Sequence, residues 1–193
     1  FSFNDRATSL LTEEIGSLLE QGAEDLVFDL RGNPGGLLDQ AVSVSDLFLD
    51  EGIVVSERYR NGDERVFESK TGDIAESIPV VVLIDAGSAS ASEVVAGALQ
   101  DRDRAILVGR TSYGKGSVQG IFPLSIVGSG IRLTTARFYS PTGRPFNRIG
   151  VEPDVAVHTT ARPVEGQVAS HSDRRDSVLD AGMGVAQRIG TPR

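Results

Sequence analysis

The 193-residue sequence contains no cysteine and no tryptophan, and only two of its residues are histidines. The absence of cysteine excludes disulfides, thiolate zinc sites and a cysteine nucleophile. The histidines, His158 and His171, lie outside every motif of the chain, so a Ser-His-Asp triad and a histidine-rich metal site have little support. We therefore expect a protein that uses neither a metal nor a cofactor.

Positive charge and long apolar runs are also scarce. Nineteen basic against twenty-seven acidic residues give a formal net charge of −8, and the basic residues are scattered, which argues against a nucleic-acid partner. No apolar run approaches the roughly eighteen residues of a membrane-spanning helix, and the first residues lack the pattern of a secretory signal. The length and the 39% hydrophobic content fit one globular domain with its own core.

Hydrophobic periodicity predicts strands that alternate with helices. The predicted helices cover residues 8–21, 37–48, a segment around 94–99, and 173–189. The predicted strands cover 25–30, 53–58, a run near 66, 79–84, 105–108, 118–124 and 131–139. Asn61-Gly62 predicts a hairpin between the second and third strands, and the continuously apolar run 79–84 predicts a central strand buried on both faces. In the last helix, weakened by two glycines, the side expected to be buried carries Val178, Leu179, Met183, Ala186 and Ile189. This order predicts a layered α/β domain with a mainly parallel sheet and a late antiparallel portion.

The first segment with chemical potential is 87–93, GSASASE, at a predicted strand-to-helix junction. The amides at a helix N-terminus favour negative charge nearby, so Ser90 is well placed as a nucleophile whose tetrahedral intermediate becomes anionic. The N–H of Ala91 is a candidate oxyanion donor. The alternative is that one of these serines merely caps the helix.

A second segment, 31–36 with the sequence RGNPGG, follows the first predicted strand. Gly35 and Gly36 allow a close approach of the backbone to a ligand, and their N–H groups are candidates for a second oxyanion donor. The alternative is an ordinary turn between a strand and a helix.

Lys115 is one of only two lysines in a chain that otherwise carries its positive charge on arginine. A buried ammonium can lose its proton and act as a base, whereas a guanidinium cannot. Gln119 would lie on the same side of an extended segment and could orient the amine. The alternative is a surface lysine in a glycine-rich turn.

Residues 109–115 are similar to a phosphate-binding loop. However, Gly116 stands where such a loop has a Ser or Thr that holds magnesium, and a strand follows instead of a helix.

Taken together and in order, these segments resemble the C-terminal processing peptidases, also called tail-specific proteases. The resemblance runs over about residues 26–155 and rests on RGNPGG at 31–36, DLFL at 46–49, GSASASE at 87–93, AGALQD at 96–101, GKGSVQ at 114–119, LTTAR at 133–137 and GVEPD at 150–154. It implies a ClpP/crotonase-like layered core and a serine endopeptidase that cuts proteins near their C-termini.

The resemblance also implies roles for individual residues. Ser90 is the nucleophile, Lys115 the general base and Gln119 its orienting partner. The oxyanion hole falls on backbone N–H groups at Gly35, Gly36 and Ala91, and Asp101 matches an acidic position with a possible supporting role.

The resemblance further implies domain boundaries, partners and a location. Residues 1–160 form the protease core, whose first strand is expected to be cut short before Phe1, and 161–193 form a polar linker and a terminal helix. No PDZ domain is recognisable, so a PDZ domain or adaptor outside this chain is an expected partner. We also expect substrates with apolar C-terminal tails and a possible oligomer. The expected location is the bacterial periplasm or cell envelope, or outside the cell.

Two other functions stay open at this point. The chain could be a non-catalytic module that binds peptides or other ligands, because one fold can serve unrelated functions. It could also be a crotonase-type acyl-CoA enzyme, which shares the layered core and an oxyanion hole but gives no reason for pairing Ser90 with Lys115.

Overall fold

The computed structural model describes residues 2–70, 72–76, 78–125, 128–158 and 176–190. The helices are α1 (Ala7–Glu20), α2 (Leu38–Asp46), α3 (Ala91–Asp101) and α4 (Ser177–Gly190). The strands are β1 (Leu26–Asp29), β2 (Gly52–Tyr59), β3 (Glu64–Ser69), β4 (Val80–Ile84), β5 (Ala105–Gly109), β6 (Ser117–Pro123), β7 (Gly130–Tyr139) and β8 (Val155–Ala156). None of these helices is long and apolar enough to cross a membrane.

A parallel sheet with the strand order β1-β4-β5-β8 forms the centre of the fold. All five residues of β4 are buried, and they alternate between two apolar clusters. Val80, Val82 and Ile84 pack into the larger cluster with α2 and α3, whereas Val81 and Leu83 pack against α4. Both faces of β4 are covered, which explains why its sequence is continuously apolar rather than alternating.

An antiparallel sheet with the order β3-β2-β7-β6 forms the second sheet. The hairpin of β2 and β3 turns near Asn61 and Gly62, as the sequence predicts, and β2 then pairs with the much later β7 from Ser56 opposite Tyr139 to Tyr59 opposite Ala136. The layered α/β architecture is therefore confirmed. The antiparallel portion is a separate sheet that includes the early hairpin as well as the late strands.

Helix α4 lies against the parallel sheet through Val178, Leu179 and Ala186, as the sequence predicts, but two other residues of the predicted face are exposed. Its buried residues are Val178, Gly182, Val185 and Ala186. Met183 and Ile189 are 47% and 45% exposed, so the prediction that they face the core was wrong. A Cβ on Gly182 would come within 2.6 Å of Leu83 Cδ2, which shows that the helix approaches the sheet through this glycine. The predicted linker at 162–172 lies outside the described residues.

Candidate active site

Ser90 is the N-cap of α3 and lies at the carboxyl end of β4, as the strand-to-helix prediction requires. Its backbone has φ 57° and ψ −114°, a conformation that residues with a side chain rarely adopt. Such strain costs about 1–3 kcal/mol and persists only where surrounding contacts hold it, often at functional sites. The local backbone thus sets Ser90 apart from its neighbours Ser88 and Ser92, which are fully buried.

The glycine turn lies directly against Ser90. A Cβ built on Gly35 would fall 2.6 Å from the Ala89 carbonyl oxygen, 2.8 Å from the Ala91 nitrogen and 2.9 Å from Ser90 Cβ. Gly35 has φ 100°, so both its backbone conformation and the space around it require glycine. The structure therefore brings together the two segments that the sequence singled out, 31–36 and 87–93.

Hydrogen bonds hold the glycine turn in this place. The main-chain oxygen of Asn33 accepts from the Ala89 N–H at 3.0 Å and from the Ser92 hydroxyl at 2.9 Å. Asp85 Oδ1 accepts from the Gly32 N–H at 2.9 Å. Ser92 is consequently a structural residue of this junction, and the two segments are docked to each other independently of any ligand.

The predicted oxyanion donors differ in availability. The Gly35 N–H donates to Asn33 Oδ1 at 2.9 Å, so it is already engaged within the turn. Within the described residues, the N–H groups of Gly36 and Ala91 have no protein acceptor. Gly36 also pairs with Phe3 in an isolated parallel bridge, which fixes the far side of the turn. The arrangement leaves Gly36 and Ala91 as the open candidates for an oxyanion hole.

Lys115 lies just before the edge strand β6 and Gln119 lies within it, and both are exposed. No hydrogen bond joins the Lys115 ammonium to the Ser90 hydroxyl within the described ranges. The sequence predicts that Lys115 and Gln119 lie on the same side of an extended segment. A register shift between Val118 and Gln119 interrupts the alternation of side chains on which this prediction depends. The described residues therefore do not bury Lys115 in the way that would favour a neutral amine.

Glu93 is the residue that sequence reasoning missed. Its side chain is 1% exposed, and Oε2 accepts from the Ser90 N–H at 2.7 Å and from the Lys115 N–H at 2.8 Å. Oε1 accepts from the Gly114 N–H at 2.6 Å and from the Ser112 hydroxyl at 2.6 Å. The spacing Ser90-x-x-Glu93 is the sequence signature of a capping box, and this signal could have identified the bond to Ser90.

Asp101 lies at the other end of α3 from Ser90. An eleven-residue helix is about 16 Å long, so Asp101 does not reach Ser90. Burial raises the pKa of the Asp101 carboxyl, but hydrogen bonds from Ser140 and Thr142 and the charge of Arg144 outweigh it and leave the pKa below its ordinary value. Asp101 therefore holds the turn after β7, and any support for the site is indirect.

Comparison with known proteins supplies the family. Residues 1–157 match the profile of peptidase family S41. A carboxy-terminal-processing protease of Bartonella bacilliformis is 55% identical over 132 residues, which are 68% of this chain and 30% of that protein. A carboxyl-terminal-processing protease of Synechocystis sp. is 41% identical over 155 residues, 80% of this chain and 36% of that protein.

Solved structures agree with this match. A photosystem II D1 C-terminal processing protease superposes with a TM-score of 0.77 at 38% identity, over 81% of this chain and 40% of that one. A putative S41 protease from Bacteroides fragilis shares the fold, with a TM-score of 0.73 at 17% identity over 97% of this chain and 53% of that one. The chain spans about a third of the length of the two curated relatives. It belongs to peptidase family S41.

Proposed function

We propose that this chain carries the active site of a serine endopeptidase that cleaves proteins near their C-termini. The observation that carries the proposal is the close contact of the glycine turn with the strained Ser90 and with the Ala91 nitrogen. This contact supports the proposal because the turn then lies beside Ser90 at a helix N-terminus, where a developing negative charge would be stabilised. Family membership and the names of the relatives, which are C-terminal processing proteases, support the same activity.

In the proposed reaction, neutral Lys115 takes the proton of the Ser90 hydroxyl as Oγ attacks the substrate carbonyl carbon. The negative oxygen of the tetrahedral intermediate accepts hydrogen bonds from the N–H groups of Gly36 and Ala91. Lys115 then gives its proton to the leaving amine, and an acyl-enzyme on Ser90 remains. Water, deprotonated by the same lysine, hydrolyses this ester. Gln119 orients the amine.

The exposed Lys115 sets a condition on this reaction. A lysine acts as a base at neutral pH only where burial disfavours its charge. We propose that a bound substrate, or protein beyond the described residues, covers Lys115 before the reaction. The same exposure favours the alternative function, a non-catalytic module that binds peptides at this surface.

Cleavage of an unfolded protein with an apolar C-terminal tail, followed by mass spectrometry of the products, tests the proposal. We expect Ser90→Ala and Lys115→Arg to lose at least ~10³-fold in rate while their circular dichroism spectra stay unchanged. Lys70→Arg, which changes the other lysine of the chain, is the matched control and should cleave normally. Cleavage by Lys115→Arg at the wild-type rate would remove Lys115 from the mechanism.

Partners and location belong to the same proposal. We propose that substrates are unfolded proteins with apolar C-terminal tails, that a PDZ domain or adaptor presents them, and that the protein acts in the bacterial periplasm or cell envelope or is secreted. The relatives are bacterial and chloroplast processing proteases, and the chain has no cysteine to be oxidised in an exported protein. Fractionation of cells followed by immunoblotting tests the location.

A further inference from the structure

Glu93 is a buried acid that forms no ion pair with any residue that the structure describes. Its side chain is 1% exposed. Burying a carboxylate without compensation is strongly unfavourable, so a protein retains one only where hydrogen-bond donors surround it. Glu93 has four such donors, two on each oxygen. An apolar side chain would leave these four donors without an acceptor, so the surrounding structure requires the carboxylate.

The donors come from the two segments that carry the proposed nucleophile and base. One is the N–H of Ser90, three residues before Glu93, and another is the N–H of Lys115, twenty-two residues after it. Both donate to the same oxygen, Oε2, at 2.7 and 2.8 Å. One atom therefore fixes the distance between the main chains of Ser90 and Lys115.

The second oxygen extends the connection. Oε1 accepts from the Gly114 N–H and from the Ser112 hydroxyl, both at 2.6 Å. The Ser112 hydroxyl in turn accepts from the Val151 N–H at 2.7 Å. The loop from Ser112 to Lys115 is thus held at three points by one carboxylate, and it is anchored to a further segment of the chain.

The backbone of Ser90 needs such a restraint. At φ 57° it lies outside the regions that residues with a side chain prefer, and an unrestrained serine would relax. The bond from its N–H to Glu93 is one of the contacts that hold this conformation against such relaxation.

We infer that Glu93 is a positioning residue, which holds Ser90 in its reactive conformation and sets the position of Lys115 relative to it. The inference rests on the proposed function, but it assigns to the carboxylate a role that the Ser/Lys mechanism does not include. The Glu93 carboxylate bonds to three main-chain N–H groups and to the Ser112 hydroxyl, none of which takes part in the proposed reaction. It acts on the rate through the geometry of two main-chain segments.

The variant Glu93→Gln tests the inference, since it keeps the volume of the side chain and replaces one acceptor oxygen by an amide donor. We expect kcat to fall by about 100-fold with KM within about threefold, because misplacing reacting groups by ~1 Å costs on this order. Glu57→Gln is the matched control. Glu57 is a second buried acid, 4% exposed, which accepts from the Tyr59 hydroxyl in the antiparallel sheet and should keep the wild-type kcat.

Amide hydrogen exchange supplies a readout that does not depend on catalysis. In Glu93→Gln the amide NH2 faces one of the two donor pairs, so exchange should accelerate at least ~10-fold either at Ser90 and Lys115 or at Gly114, whereas exchange in β4 should stay unchanged. Wild-type kcat in Glu93→Gln, or unchanged exchange at all three amides, would overturn the inference. An equal loss of kcat in Glu57→Gln would show a general loss of stability instead of a local effect.

Two further measurements keep the outcomes separate. If Glu93→Gln does not fold, Ser112→Ala removes one of the four donors and should lower kcat by about 3- to 10-fold; a wild-type kcat would then count against the inference. Wild-type protein whose cleavage activity equals that of Ser90→Ala would refute the proposed function. The exchange experiment would still decide whether Glu93 holds the two segments.

Discussion

The replacement Gly35→Ala should disrupt the site much more than Gly32→Ala in the same glycine turn. The new Cβ would lie 2.6 Å from a carbonyl oxygen and 2.8 Å from a main-chain nitrogen, at Ala89 and Ala91. Both atoms belong to backbone that β4 and α3 hold in place, so no side-chain rotation relieves the overlap. The φ of 100° adds strain, because it suits only glycine.

The magnitude follows from these two terms. Overpacking against a fixed neighbour costs about 1–3 kcal/mol, and the backbone strain adds about 1–3 kcal/mol, so we expect a loss of about 2–6 kcal/mol in the free energy of unfolding. Gly32→Ala in the same turn is the matched control. Gly32 has φ 63°, and a methyl group on it would meet nothing within 4 Å, so the expected loss is only about 1–2 kcal/mol.

Urea unfolding followed by circular dichroism measures both losses by linear extrapolation. Cleavage rates at a temperature where both variants are folded measure the second effect. A methyl group at Gly35 pushes the turn away from Ser90 and displaces the Gly36 N–H, so kcat should fall by about 10²- to 10³-fold. Equal losses of stability for Gly35→Ala and Gly32→Ala, within about 0.5 kcal/mol, would refute the close-contact reasoning.

Two predictions concern helix α4. Hydrogen bonding to Arg31 lowers the pKa of Asp176 to about 2. This pair therefore stabilises the fold above the ordinary pKa of about 3.9, and its contribution is lost as the pH falls toward 2. Asp176→Asn should flatten this part of a plot of unfolding free energy against pH, and an unchanged slope would contradict the pairing. Gly184→Ala should raise the free energy of unfolding by about 0.5–1 kcal/mol, because its methyl group meets nothing within 4 Å. Gly182→Ala should lack this gain, since its methyl group would lie 2.6 Å from the buried Leu83, and equal thermal midpoints for the two variants would contradict the packing.

Much of the fold could be predicted from local sequence signals. The continuously apolar β4 indicated a strand covered on both faces, and the Asn61-Gly62 dipeptide indicated the hairpin, because each signal is contained in a few adjacent residues. The meeting of segment 31–36 with Ser90 followed from the family resemblance, which puts the oxyanion hole on both segments.

Other features depend on contacts between distant segments and could not be predicted in this way. The spacing of apolar residues in α4 suggested that Met183 faces the core, but the helix approaches the sheet through Gly182, and this choice depends on the shape of the surface around Leu83. The exposure of Lys115 likewise depends on what lies over it. The full role of Glu93 emerges only when residues 112–115 fold back onto α3.

The long-range bonds of the site also bear on the order of folding. The Gly32 N–H reaches Asp85 across 53 residues, and the Ser92 hydroxyl reaches Asn33 across 59. Contacts between distant segments form slowly, because the chain loses loop entropy before it gains their energy. A nascent or partly folded chain therefore contains Ser90 without the glycine turn docked against it. If Ser90 is the nucleophile, as we propose, hydrolysis then has to wait until the native topology is complete.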